Sequence, residues 1–206
     1  MQADITKYFK MIYPIIAYGD PILRKVTRPV AEGEVDIKTI AENMFETMYN
    51  ASGVGLAAPQ VGLDIRIFVV DGSPMADDED EENEGEPENP ELIGFKKVFV
   101  NPQIIEESGD PWAFEEGCLS IPGLRADVFR PAEVKIRYQD ADWEVHEEVF
   151  TGIAARIIQH EYDHLEGKLF VDYLPALKKQ MIRKKLGNIS KGIVDADYKM
   201  RFYNKK

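Results

Sequence analysis

The sequence predicts an α+β fold in which antiparallel β-sheets pack around a central helix carrying a His-Glu-x-x-His motif. Three observations carry that expectation. EVKIRYQD (133–140) and WEVHEEVF (143–150) alternate with period two around Asp140-Ala141-Asp142 and read as two strands of one hairpin. Helical apolar spacing lies before and after that block, not between its strands, which favours α+β over an alternating parallel sheet. A late helical segment, QHEYDHLEG (159–167), holds two of the chain's three histidines four positions apart.

Taken in order, residues 1–10 carry no clear pattern and read as an N-terminal extension or a leftover. DIKTIAENMFETMYNASG (36–53) places Ile37, Ile40, Ala41, Met44, Phe45 and Met48 at helical spacing, with Asp36 as cap and Gly53 as close. GVGLAAPQVG (53–62) is an irregular loop by its glycines and proline. IRIFVV (65–70) is a strand, and KKVFVNPQII (96–105) is a second, broken at Pro102. After the hairpin, TGIAARIIQHEYDHLEG is a helix from Thr151 to Gly167, and PALKKQMIRKKLG is a last helix ending at Gly187. This organisation predicts one catalytic domain over 11–187, an acidic insertion at about 72–95, and a basic tail over 188–206.

The 206 residues are 44 % apolar, enough for one packed domain. The net charge of −12 is concentrated: ten acids and no base lie in DDEDEENEGEPENPE (77–91), and the rest is close to balance. Such a run repels itself and buries little, so it reads as a solvated loop. No apolar run is long enough to span a bilayer, and MIYPIIAY near the start lacks a cleavage pattern, so neither a membrane span nor a secretory signal is expected. A single cysteine, Cys118, forbids an intrachain disulfide and fits a cytoplasmic setting. LKKQMIRKKLG (177–187) and the tail are basic, which on a helix is ordinarily a wet face.

Residues four apart share a helix face, so His160 and His164 can aim two imidazoles at one point. Ile153, Ile157 and Leu165 flank that stripe, so the face is buried and its histidines need partners. A divalent metal supplies one, and Glu161 beside the stripe can take a proton from polarised water. The motif resembles that of zinc metalloproteases, but the third ligand of either common protease class is missing. Phe170 stands where one class has histidine, and no glutamate follows Glu166. The third ligand is therefore sought upstream, at His146 or Cys118. His146 shares a strand face with Glu144 and Glu148 that reads as solvent-facing, so Cys118, in EEGCLSIPG, is the better candidate.

GVGLAAPQ (53–60), EEGCLS (115–120) and QHEYDHLEG (159–167) together resemble the three signature segments of the peptide deformylase family, in that family's order. The resemblance runs from YPIIAYGDPILR to LFVDYL. It implies a metal-dependent amide hydrolase that removes the formyl group from the N-terminal formyl-methionine of newly made polypeptides. Cys118, His160 and His164 would be the metal ligands with water in the fourth position, and Glu161 the general base and then acid. Gln60 and the backbone N–H of Leu119 would steady the formyl oxygen as charge develops on it. Gly55 would contact the substrate main chain, and Val54, Leu119, Ile157 and the ring of His160 would line the methionine slot. The family uses Fe²⁺ natively and accepts Zn²⁺, Ni²⁺ or Co²⁺.

The implied partners are nascent formylated polypeptides and, through the basic C-terminal region, the ribosome; no DNA or membrane partner is expected. Arg125 is expected to pair with Glu116 and hold the cysteine loop, while the role of Arg156 stays open. Two other classes stay open on sequence: a metalloprotease, and a metal-binding or ribosome-associated protein without catalysis.

Overall fold

A computed structural model describes residues 11–76 and 89–203. The first ten residues, the acidic run over 77–88 and the last three residues lie outside the described residues. Strand β1 (Ile15–Ile16) opens the described fold, and a short 3₁₀ turn at Pro21–Arg24 follows. Helix α1 (Ile37–Asn50) begins as expected at Asp36, whose carboxylate accepts the Thr39 backbone N–H at 3.1 Å and the Thr39 hydroxyl at 2.7 Å.

The main sheet has the order β2 (Gly55–Ala57), β3 (Ile67–Asp71), β4 (Lys96–Ser108), then two strands from later in the chain. Between β4 and those strands lies a separate two-stranded hairpin, β5 (Trp112–Gly117) and β6 (Arg125–Arg130), which the sequence reading did not anticipate. The sheet continues with β7 (Glu133–Gln139) and β8 (Val145–Thr151), the expected hairpin, with all neighbours antiparallel.

Successive side chains of a strand face opposite ways. On β3, Ile67 and Val69 pack with Met44, Met48 and Leu56 under α1, while Phe68 and Val70 join Phe99, Ile136 and Ala155 on the other face. Both faces of this strand are covered, which is why IFVVD shows no polar alternation.

Strand β4 does not break at Pro102. It runs through to Ser108 with its register against β7 slipping between Val100 and Gln103 and again between Ile104 and Glu106. Proline has no N–H to give the ladder, and a bulge removes the need for one. Asn101 takes the left-handed conformation there, at φ 49°.

Helix α2 (Gly152–Leu165) lies against the Phe68–Val70 face, and eleven of its fourteen residues are buried. Several of those are polar, so each needs an internal partner. After a 3₁₀ turn at Phe170–Tyr173 comes α3 (Ala176–Ile189), two residues longer than the close expected at Gly187. The chain then returns across the molecule. Strand β9 (Met200–Arg201) pairs in parallel with β1, and Val194, Met200 and Phe202 pack onto a core of Ala17, Ile121, Leu169 and Ile189. Among the described residues no helix is long and apolar enough to cross a membrane.

Candidate metal and substrate site

Helix α2 sets the site. Thr151 stands at its N-cap position as expected, although its hydroxyl makes no capping bond. Beyond its C-terminus Gly167 has φ 68°, and a Cβ there would lie 2.6 Å from the Arg24 carbonyl oxygen, so only glycine fits. Between these ends the rings of His160 and His164 are edge to face with centroids 5.1 Å apart.

Cys118 follows β5 directly, and its Sγ lies 3.3 Å from His164 Nε2. One ligand atom from each of Cys118, His160 and His164 lies within 4.8 Å of the others. His160 Nδ1 is engaged with Glu116 Oε2 at 2.9 Å, which leaves its Nε2 as the free lone pair. A sulfur and two imidazole nitrogens spaced in this way fit a single tetrahedral ion with bonds of about 2.0–2.3 Å.

The cluster is held by buried charge. Arg130 donates to Glu116 through Nε at 2.6 Å and Nη2 at 3.0 Å, and to Asp163 through Nη1 at 2.6 Å. The Tyr173 hydroxyl donates to the other Asp163 oxygen at 2.8 Å. Arg156, whose place was open on sequence, is 2 % exposed. It donates to Glu116 at 3.2 Å and to the carbonyls of Val128 and Trp112, and its guanidinium stacks over the Trp112 ring at 4.5 Å. Glu116 thus accepts from two arginines and orients His160. A carboxylate on the far nitrogen fixes a histidine's tautomer and ring plane.

Glu161 is 4 % exposed and its Oε2 has no hydrogen-bond partner among the described residues. A Cβ on Gly55 would lie 2.4 Å from Glu161 Oε1, so the carboxylate rests on the bare backbone of β2. Gln60 Oε1 accepts the Ala57 N–H at 2.8 Å, which turns its amide Nε2 toward Cys118 Sγ at 3.5 Å and Ser120 Oγ at 3.4 Å. An open cleft of about 930 Å³ joins Val54, Gly55, Gln60, Cys118, Leu119, Ile157, His160 and Glu161. Among the described residues β2 is the edge strand of its sheet, with no strand neighbour on one side of its backbone.

Burial pushes the Glu161 carboxyl up to about 7, with His160 pulling it down, Glu116 adding to the rise and Arg130 opposing it. Burial and the neighbouring His160 hold His164 well below the usual histidine range. Burial would lower His160 too, but its contacts with Cys118 and Glu116 hold it well above that range. Glu116 itself is driven far below the carboxylate range: its bonds to His160 and Arg130 overcome the opposing effect of burial.

Every residue singled out in the sequence for ligation, proton transfer, oxyanion contact or the methionine slot lines this one cleft except His164, whose Nε2 lies 3.3 Å from Cys118 Sγ. His146 is not among them. It engages Asp140 at 2.8 Å and stacks on Tyr138 at the far hairpin. The expected Arg125–Glu116 pair does not form: Arg125 lies 3.9 Å from Glu115, and Arg130 takes Glu116. On β6 the alternation buries Val128 and Arg130 together and leaves Arg125 out. That phase was the signal available, and without recognition of the strand it could not be used. Tyr198 and the acids beside it, which also line the cleft, were missed because 79 residues separate Tyr198 from Leu119, whose carbonyl it holds.

A thiol, two imidazoles and a buried carboxylate at the floor of a cleft define a class, the hydrolases built around a metal-binding site. A sequence model of the family described as polypeptide deformylase matches residues 12–180. A peptide deformylase of Christiangramia forsetii is 56 % identical over 196 residues, 95 % of this chain and 98 % of the relative. One from Cytophaga hutchinsonii is 55 % identical over 196 residues, 95 % of this chain and all of that one. The crystal structure of a peptide deformylase from Legionella pneumophila superposes with a TM-score of 0.72 at 38 % identity, covering 87 % of this chain and 96 % of that one. The chain belongs to the polypeptide deformylase family, enzymes that remove N-terminal formyl groups.

Proposed function

We propose that this protein removes the formyl group from the N-terminal formyl-methionine of newly synthesised polypeptides. The observation that carries the reading is the convergence of Cys118, His160 and His164 beside the unpartnered Oε2 of Glu161. Cys118, His160 and His164 would hold one divalent ion, Fe²⁺ in the native enzyme, with Zn²⁺, Ni²⁺ or Co²⁺ able to replace it. When bound, that ion supplies Lewis acidity, polarising water and the formyl carbonyl.

The remaining work falls to the chain. The free edge of β2 at Gly55 takes the peptide main chain as an added strand. Val54, Leu119, Ile157 and the face of His160 enclose the methionine side chain and exclude water around it. The Gln60 amide and the Leu119 N–H donate to the formyl oxygen as negative charge grows on it, a role worth about 10²–10³ in rate per donor. Glu161 takes the proton of the attacking water on Oε2 and returns it to the departing nitrogen. The C–N bond breaks, and formate and a free amino terminus result.

The exposed lysines of α3, with the basic C-terminal region around them, suit a dock on the ribosome, and the enzyme works in the cytoplasm where its substrates emerge. A protease cleaving internal bonds has no support from family membership.

The test compares formyl-Met-Ala-Ser with its acetylated twin. Formyl-specific hydrolysis is expected, and equal rates on both would refute the reading. Metal analysis of protein purified without oxygen should find one equivalent of iron, lost from the Cys118→Ala variant. Ribosome co-sedimentation should fall when Lys178, Lys179, Lys184 and Lys185 are reversed in charge; unchanged binding would exclude α3 as the contact.

A further inference from the structure

The segment between α3 and β9 does more than return the chain to β1. Asp195, Ala196, Asp197 and Tyr198 line the same cleft as Gly55, Cys118 and Glu161. The segment is fixed on both sides of the acids. Before them the Ile193 N–H donates to the Asn188 carbonyl at 2.9 Å and Val194 packs on the core; after them the Tyr198 hydroxyl donates to the Leu119 carbonyl at 2.8 Å, and Met200–Arg201 pair with Ile15–Ile16. The two acids are therefore held against the cleft.

The charges around the cleft do not cancel. Inside it, Glu116 is neutralised by Arg130 and Arg156. At the mouth, Glu115 and Arg125 face each other at 3.9 Å. Asp195 and Asp197 are exposed and have neither hydrogen bond nor ion pair among the described residues, and Lys199, the next base along, does not line the cleft. The same cleft is lined by Glu161, whose buried Oε2 has no partner among the described residues, so the cleft offers a polar group that the fold leaves unmet.

A cleft wall of one sign raises the local concentration of the opposite one. Formylation removes the charge of the substrate's own amino terminus, so any charge the wall meets belongs to later side chains. We infer that Asp195 and Asp197 are specificity-determining residues, selecting formylated peptides with lysine or arginine shortly after the formyl-methionine. This rests on the deformylase reading above and deepens it.

The experiment uses the full chain and C-terminally amidated formyl-Met-Ala-Ser, formyl-Met-Lys-Lys and formyl-Met-Glu-Glu. At low salt, kcat/KM for the lysine peptide should exceed that for the glutamate peptide about fivefold, a size ordinary for exposed charge pairs. The ratio should fall to about one in 1 M salt. It should also approach one in the D195N/D197N variant and invert in D195K/D197K. The inversion separates charge selection from a loss of packing, which would lower both rates alike. A wild-type ratio of one, or a ratio unmoved in both variants, would overturn the selection and leave the deformylase reading standing. Failure to hydrolyse any of the three formyl peptides would overturn the deformylase reading and this inference with it.

Discussion

Arg125 and Arg130 stand at the two ends of β6, one 69 % exposed at the cleft mouth beside Glu115, the other 5 % exposed between Glu116 and Asp163. The contrast extends to the two sides of the cleft they belong to. On the α2 side the charged groups other than Glu161 are buried, paired at 2.6–3.2 Å, and joined from Tyr173 through Asp163, Arg130 and Glu116 to His160. On the mouth side they are wet, distant or unpaired. Buried charge must be matched atom by atom, because an uncompensated ion in the interior is costly. The matching in turn sets the orientation of the His160 ring. Exposed charge has no such obligation and so is free to act on what arrives.

The sharpest way to test that division is Glu161→Ala. It removes a buried carboxylate oxygen that has no partner among the described residues, so packing loses little while the proton transfer proposed for it would be lost. Turnover of formyl-Met-Ala-Ser should fall by about 10²–10⁴ with metal content unchanged by elemental analysis. Retained turnover would take Glu161 out of the chemistry. Next comes Arg130→Met, which strands Glu116 and Asp163 without their shared partner. Urea denaturation should show a loss of about 3–5 kcal/mol, the usual result of breaking a buried ion pair.

Gly55→Ala probes the contact between β2 and α2. The new methyl would lie 2.4 Å from Glu161 Oε1, so the carboxylate must shift. A displacement of about 1 Å from productive geometry costs about 10² in rate. Steady-state kinetics should therefore show kcat falling while metal content by elemental analysis is unchanged. Smallest of all is Arg125→Ala, expected to leave the urea midpoint where it was. A stability loss approaching that of Arg130→Met would erase the distinction between the two ends of the strand.

The legible parts of the molecule were those in which chemistry and local order coincide. His160, Glu161 and His164 lie within one helix turn and a half, and Asp36 capped α1 as its side chain requires. The hairpin of β7 and β8 showed clean alternation because one of its faces is wet. What escaped was set by tertiary context. The β5–β6 hairpin carries Trp112 and Phe114 in the same phase as buried Glu116, so its inner face mixes apolar and charged side chains and the alternation does not stand out. Pro102 read as a break because the bulge that absorbs it depends on the partner strand. The partner of Glu116 was sought at Arg125, nearer in sequence, while the fold chose Arg130.

The parallel pairing of β1 with β9 brings residues 15–16 beside residues 200–201 and carries the acidic wall into position. Those two short strands lie far apart along the described residues, and contacts so distant in sequence are slow to close. The segment carrying Asp195 and Asp197 therefore owes its place at the cleft to a contact between distant parts of the chain, and so does the Tyr198 bond that steadies the loop of Cys118 through the Leu119 carbonyl.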